Sequence, residues 1–211
     1  MNTHPEISAT ADTIERAIRT RGATLIALAG LPGAGKSTLA EILCARWPNA
    51  VVLPMDGYHL PRRMLDAEEM RRRGAPHTFD PERLRADLLR LKATGTGVFP
   101  AFDHAEGDPR EGAIEVSAGA SPVLVEGLYL LLREWQMHDL FDFRVFLDCP
   151  LPVAMNRVAT RHLVSGLAPN KAAADARAES NDLLNAKLIL SDGCRERADL
   201  VIQTAPYSPD T

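Results

Sequence analysis

Five short apolar runs punctuate the chain: Thr24–Ala29, Ala50–Leu53, Pro122–Val125, Phe143–Leu147 and Asp199–Ile202. They are apolar on successive positions instead of alternating, which suits strands covered on both faces. Between them, Lys36–Arg46, Pro81–Ala93, Pro152–Val164 and Ala172–Leu190 read as helices, the last rich in Ala and Leu. The alternation predicts an α/β fold: a five-stranded, mainly parallel sheet with helices on both faces.

Two stretches break that rhythm. Gly57–Asp80 is long, polar and rich in arginine, and Thr94–Ala120 carries Gly95, Gly97, Gly107, Asp108-Pro109 and Gly119. Both read as loops, and loops of this length in a compact domain are usually functional or disordered. Both fall between the second and third strands, so residues of about 57–120 are expected to form an acceptor-binding insertion. No linker or internal repeat divides the chain, which reads as a single domain over residues 1–211.

Composition narrows the class. Apolar residues make up 45% and charged residues 25% of 211, a globular balance that excludes disordered and collagen-like chains. A chain of this size buries roughly 70% of its unfolded surface and needs no disulfide or metal staple. The 24 basic and 28 acidic residues give a net charge of −4, which argues against nucleic-acid binding by bulk electrostatics. Only four of the basic residues are lysines, so the position of each is informative. Cys44, Cys149 and Cys194 lie far apart and match no ligand spacing, as expected of free thiols in a reducing compartment. The N-terminal stretch has no signal-peptide core, and the longest apolar run, Val123 to Leu132, is interrupted by Glu126. It falls well short of the ~20 residues needed to span a bilayer. The expectation is a soluble, cytoplasmic protein with no membrane or nucleic-acid partner.

The strongest chemical signal follows the first apolar run. Gly30-Leu31-Pro32-Gly33-Ala34-Gly35-Lys36-Ser37, with Thr38 next, satisfies GxxxxGK[ST] between a predicted strand and a predicted helix. Its glycines let successive N–H groups form an anion nest at a helix N-terminus. Lys36 is placed to neutralise the β- and γ-phosphates of a nucleotide, and the Ser37 hydroxyl to ligate Mg²⁺. Gly30, Gly33, Ala34, Gly35, Lys36, Ser37 and Thr38 are therefore the candidate nucleotide-binding residues. The guanine-reading Asn-Lys-x-Asp motif is missing: Asn170-Lys171 is followed by Ala172-Ala173. For the acidic residue that helps organise Mg²⁺, Glu126 in Val-Leu-Val-Glu-Gly is favoured, with Asp148 at the end of the fourth run as the alternative.

Strand two runs directly into Met55-Asp56-Gly57-Tyr58-His59-Leu60. A carboxylate at the carboxyl end of a parallel strand lies where an open α/β sheet binds ligands, and an Asp suits the acceptance of a hydroxyl proton. This segment, the phosphate loop, Gly74-Ala75-Pro76-His77-Thr78-Phe79-Asp80, Pro100-Ala101-Phe102-Asp103-His104 and Val125-Glu126-Gly127 resemble the phosphoribulokinase/uridine kinase family of P-loop kinases. The likeness extends to Arg157, Arg161 and the Arg177…Asn181-Asp182…Asn185 stretch, covering roughly residues 20–203. It is nearest to the bacterial branch associated with fructose transport systems or resembling pantothenate kinase. The resemblance implies a P-loop NTPase fold and ATP- and Mg²⁺-dependent transfer to a small-molecule hydroxyl. It implies Asp56 as catalytic base and Glu126 as organiser of metal and acceptor. It also implies that Tyr58, His59, His77, Asp80, Phe102 and His104 line the acceptor pocket. Asp-Gly-Tyr-His stands where uridine kinases carry Asp-Ser-Phe-Tyr, which argues against a nucleoside acceptor; a fructose-like sugar is favoured, with uridine or another nucleoside, or pantothenate, as the alternatives.

Arg157 and Arg161 are four apart and share one helix face. With a second helix carrying Arg177, they are expected to form a lid over residues of about 151–180 that supplies charge to the transferring group and excludes water. Arg157 is assigned to the nucleotide and Arg161 to catalysis. The arginines at 62–63 and 71–73 read as surface residues, with recognition of an acceptor anion as the other reading. The rival of a different class is a regulatory ATPase that hydrolyses ATP slowly and moves no phosphate to a metabolite.

Overall fold

The computed structural model describes residues 5–204. The ends of the single-domain span, and the start of the stretch read as lacking a signal peptide, lie outside the described residues. Helix α1 (Pro5–Arg21) leads into strand β1 (Leu25–Gly30), the phosphate loop and helix α2 (Lys36–Cys44). Strand β2 (Val51–Pro54) is followed by short helical turns, helix α3 (Ala67–Arg71), helix α4 (Pro81–Thr94), and strands β3 (Gly97–Asp103) and β4 (Asp108–Val116). Then come β5 (Val123–Gly127), β6 (Phe143–Asp148), α5 (Leu151–Val164), α6 (Lys171–Arg177), α7 (Leu183–Ser191) and β7 (Leu200–Gln203).

The main sheet has five strands in the order β2-β5-β1-β6-β7, and every pairing in it is parallel. Strands β1 and β5 are buried at every position, as a sheet covered on both faces requires. The predicted apolar runs match these strands with one systematic difference: each observed strand starts one residue later, runs further, or both. On β5 the extra rungs are Glu126 and Gly127, paired with Leu28 and Ala29 of β1. The ladder outlasts the apolar run because backbone groups make it, whatever side chains they carry.

Two expectations are corrected and one element is new. Thr94–Ala120 is not one loop: it holds the antiparallel hairpin β3–β4, whose register shifts between Phe99 and Ala101. Its Gly107 and Gly112 have positive φ, so the loop-like glycines serve the turn and an irregular strand. Ala172–Leu190 is not one helix: α6 and α7 are separated by a π-helical turn, Ala178–Asp182. Helix α1 was not anticipated, although Ala11, Ile14 and Ile18, all buried, have helical spacing.

The insertion is not a separate lobe. Phe79, Leu84, Leu88, Leu91, Phe99 and Val116 belong to the same core cluster as the sheet residues. The segment expected to form a lid differs: Val158, Ala159, Ala168, Ala174 and Ala178 form a small cluster of their own. Two glycines enforce the close approaches that bring these parts together. A Cβ on Gly57 would overlap the Pro100 carbonyl of β3, and one on Gly33 would overlap the Ala154 carbonyl of α5.

Candidate active site

The parallel order sets the carboxyl ends of β2, β5 and β1 side by side, and three predicted side chains converge there. Gly33 and Gly35 of the loop after β1 have φ of 77° and 91°, left-handed values that glycine supplies without strain. No side chain caps the N-terminus of α2. Its first-turn N–H groups are thus available to an anion. Lys36 is buried and its Nζ donates to the carbonyls of Gly30 at 3.2 Å and Leu31 at 2.9 Å. Burial lowers its pKa to about 8, against the opposing pull of the Glu126 and Asp56 carboxylates.

Glu126 is buried at the end of β5, and its Oε1 accepts a hydrogen bond from Ser37 Oγ at 3.0 Å. Its pKa is raised by burial and by the neighbouring Asp56 charge, while Lys36 and Ser37 oppose the rise. Asp148 is engaged elsewhere: its Oδ2 accepts from Gln203 Nε2 at 2.7 Å and pairs with Arg195 at 3.1 Å. Of the two acids, Glu126 is the one joined to the phosphate loop. A hydroxyl and a carboxylate in contact are hard oxygen donors that fit Mg²⁺. Among the described residues no cluster of three or more His, Cys, Asp or Glu is arranged to hold a metal. Mg²⁺ does not need one, since it usually keeps several waters and binds through one or two carboxylates plus substrate phosphates.

Asp56 sits half-buried on the turn Met55–Tyr58 that continues β2. Its charge acts on Lys36, Glu126 and His59. From α5, Arg157 Nη1 donates to the Gly33 carbonyl at 3.4 Å, and the charge of exposed Arg161 acts on Lys36.

The predicted acceptor residues separate into three groups. His59 stacks on Phe79 at 3.9 Å and lies 5.1 Å from Phe102, which meets His104 edge-on at 5.3 Å. Phe102 and His104, with Ala101, Asp103 and Arg110, line a small open cleft. Burial lowers the His59 pKa, which the Asp56 charge opposes, and its Nδ1 is buried without a hydrogen-bond partner. Tyr58 and Asp80, by contrast, have structural partners. The Tyr58 hydroxyl donates to buried Asp87 at 2.9 Å, and Asp80 caps α4 by accepting from the Arg83 N–H at 2.9 Å. His77 is exposed on the turn Pro76–Thr78.

Several residues that hold this side together read from the sequence as surface or loop positions, or carried no signal. Arg73 donates to the carbonyls of Gly107 at 2.7 Å and Leu60 at 3.1 Å, pairs with Asp108 at 2.8 Å, and lies over the Phe102 ring. Arg72 is likewise partnered inside the protein, so the run at 71–73 is not simply surface. The Tyr129 hydroxyl donates to the Gly74 carbonyl at 2.6 Å. Nothing in the spacing of Tyr129 or Asp108 marks them, because their partners are distant in sequence.

A phosphate loop opening onto a parallel sheet, a carboxylate joined to its serine and a second carboxylate on the turn after the neighbouring strand suit a P-loop kinase. The model of the Phosphoribulokinase / Uridine kinase family matches residues 25–166, and the chain belongs to that family. It is 38% identical over 201 residues to "Putative uridine kinase C227.14" of Schizosaccharomyces pombe, covering 86% of this chain and 85% of the relative. It is 36% identical over 196 residues to "ATP-dependent kinase YFH7" of Lachancea thermotolerans, covering 72% of this chain and 56% of that protein. Among solved structures, a "putative fructose transport system kinase" from Silicibacter sp. TM1040 superposes with a TM-score of 0.80 at 36% identity. That superposition covers 91% of this chain and 98% of the other. The relatives are named kinases, and this chain is an ATP-dependent phosphotransferase of the same family. Among the described residues no helix is long and apolar enough to cross a membrane.

Proposed function

We propose that this kinase transfers the γ-phosphoryl group of ATP, with Mg²⁺, to a hydroxyl of a fructose-like sugar, in a reducing cytoplasmic setting. The observation that carries the reading is the placement of Asp56 one strand from Glu126 and within electrostatic reach of Lys36. Phosphoryl transfer needs little covalent help from protein; it needs charge neutralisation at the phosphates and a group that orients the incoming hydroxyl. Lys36, the α2 N-terminus and the arginines of α5 serve the first need, and Asp56 serves the second. Mg²⁺ would be held through Ser37 and Glu126, and when bound it supplies charge neutralisation at the phosphates.

A sugar is favoured because hydroxyl-binding atoms and a flat apolar face come together at His59, Phe102 and His104, with the Asp56 charge acting on His59. The arginines that would suit an acidic acceptor argue less for one, since Arg72 and Arg73 are already bonded within the protein. The name of the Silicibacter structure points in the same direction. The free thiols of Cys44, Cys149 and Cys194 suit a reducing compartment.

The test is ADP formation from ATP alone and with a panel of ketoses, aldoses, uridine and pantothenate. A sugar should raise turnover at least about tenfold over ATP alone, a barrier change of ~1.4 kcal/mol. A rise with uridine or pantothenate only would overturn the sugar assignment. No rise with any acceptor would favour the regulatory ATPase.

A further inference from the structure

The π-helical turn Ala178–Asp182 touches both sides of the site. On one side, Asp182 pairs with His162 of α5 at 3.5 Å, on the helix that also carries Arg157 and Arg161. On the other side, Asn181 Nδ2 donates to the Arg73 carbonyl at 2.9 Å, while its Oδ1 accepts from Arg72 Nη1 at 2.6 Å. One turn later, Asn185 Nδ2 donates to the Gly74 carbonyl at 3.1 Å and its Oδ1 accepts from Arg72 Nη2 at 3.3 Å. Arg72 Nη1 also donates to the Ser180 carbonyl at 2.9 Å. Both asparagines are buried, so their amides would carry an unpaired-dipole cost were Arg72–Gly74 to move away.

The segment they grip leads to the acceptor side. Arg73, whose carbonyl Asn181 holds, reaches the β3–β4 turn at Gly107 and Asp108 and lies over Phe102. A regular helix through 178–182 would rotate Asn181 and Asp182 out of these opposed positions. Single π-turns within helices are often found at functional sites for this kind of reason.

We propose that this π-turn is a joint between the nucleotide side and the acceptor side, with Arg72, Asn181 and Asn185 as its positioning residues. The proposal rests on the kinase reading above. Nucleotide engaged by the phosphate loop and α5 biases the turn through His162 and Asp182. The turn in turn sets Arg72–Gly74 and, through Arg73, the hairpin that carries Phe102 and His104. Arg72 is suited to this because its planar fork serves two side-chain acceptors and a carbonyl at once.

The experiment is amide hydrogen exchange on the full chain, with and without Mg²⁺ and AMP-PNP, a non-hydrolysable ATP analogue. It compares the wild type, Arg72→Ala, Asn181→Ala and the exposed neighbour Arg71→Ala. In the wild type and Arg71→Ala, nucleotide should slow exchange both at residues 30–38 and at residues 98–108. In Arg72→Ala and Asn181→Ala, protection at 30–38 should persist. The nucleotide-induced protection at 98–108 should fall by about fivefold or more, the lower end of typical site-to-site coupling. A residue that merely supports the fold would change exchange at 98–108 equally with and without nucleotide. Undiminished nucleotide-induced protection there in both variants, or none there in the wild type, overturns the joint. Failure of both variants to fold marks the network as fold-bearing and equally overturns a positioning role. No protection at 30–38 in the wild type would instead refute the nucleotide site itself, and the joint with it.

Discussion

Ser37 Oγ donates to Glu126 Oε1 at 3.0 Å, linking two residues 89 positions apart. The contact exists because β1 and β5 are neighbours, which sets the last rungs of β5 beside the loop that follows β1. It joins the hydroxyl and the carboxylate assigned to Mg²⁺ before any ligand is considered.

Glu126→Gln keeps an oxygen acceptor for Ser37 but removes the charge. The Mg²⁺ concentration for half-maximal turnover should rise about tenfold or more, as is usual when groups around a metal are altered. A Mg²⁺ titration of ADP formation checks this, and an unchanged midpoint would remove Glu126 from the metal site. Stability should show the opposite sign. Because burial raises the Glu126 pKa, its contribution to folding is fully present below the ordinary carboxylate range and is lost as pH rises through the folded value. The melting temperature of Glu126→Gln relative to wild type should therefore increase as pH rises from acid to neutral.

Lys36→Met should lower turnover by ~10²–10³-fold, the typical loss when one preorganised charge at a transition state is removed. Its pH signature is also fixed in sign. With a folded pKa of about 8 against an ordinary 10.5, Lys36 contributes stability that is present above the unfolded value and is lost as pH falls through about 8. Melting curves between neutral pH and pH ~10 should show wild type gaining on Lys36→Met as pH rises. A constant difference would mean that the ammonium is not desolvated.

Asp56→Asn preserves shape and loses basicity. Acceptor-dependent turnover should fall ~10²–10⁴-fold, the range of general-base contributions, with ATP affinity nearly unchanged. Turnover and thermal stability measured on the same variant separate a base from a residue that only supports the fold. A loss under about tenfold would sink the catalytic assignment.

Tyr58→Phe removes a buried hydrogen bond to the Asp87 carboxyl, an interaction typically worth ~1.5–3 kcal/mol when one partner is charged. The expected result is a lower melting temperature with the acceptor KM nearly unchanged. A KM rise without loss of stability would return Tyr58 to the acceptor pocket.

Local chemistry was readable from the chain alone. The phosphate loop announces itself because an anion nest needs glycines and a lysine at fixed spacing, and the strands announce themselves because burial on both faces demands unbroken apolar runs. Even α1 was present as the spacing of Ala11, Ile14 and Ile18. The partners of these groups were not readable. Glu126 and Asp148 both end an apolar run on a strand beside β1, and only the packing of α2 toward β5 and β2 sets Glu126 against Ser37 and leaves Asp148 to Gln203 and Arg195. Arg72 and Arg73 looked like solvated charges until the fold brought Asn181, Asn185 and Asp108 to them. The bond of Tyr58 to Asp87 was equally hidden, whereas the capping of α4 by Asp80 is a contact within one turn. Spacing encodes contacts made within one turn or one strand, whereas contacts between distant segments depend on topology, which spacing does not specify.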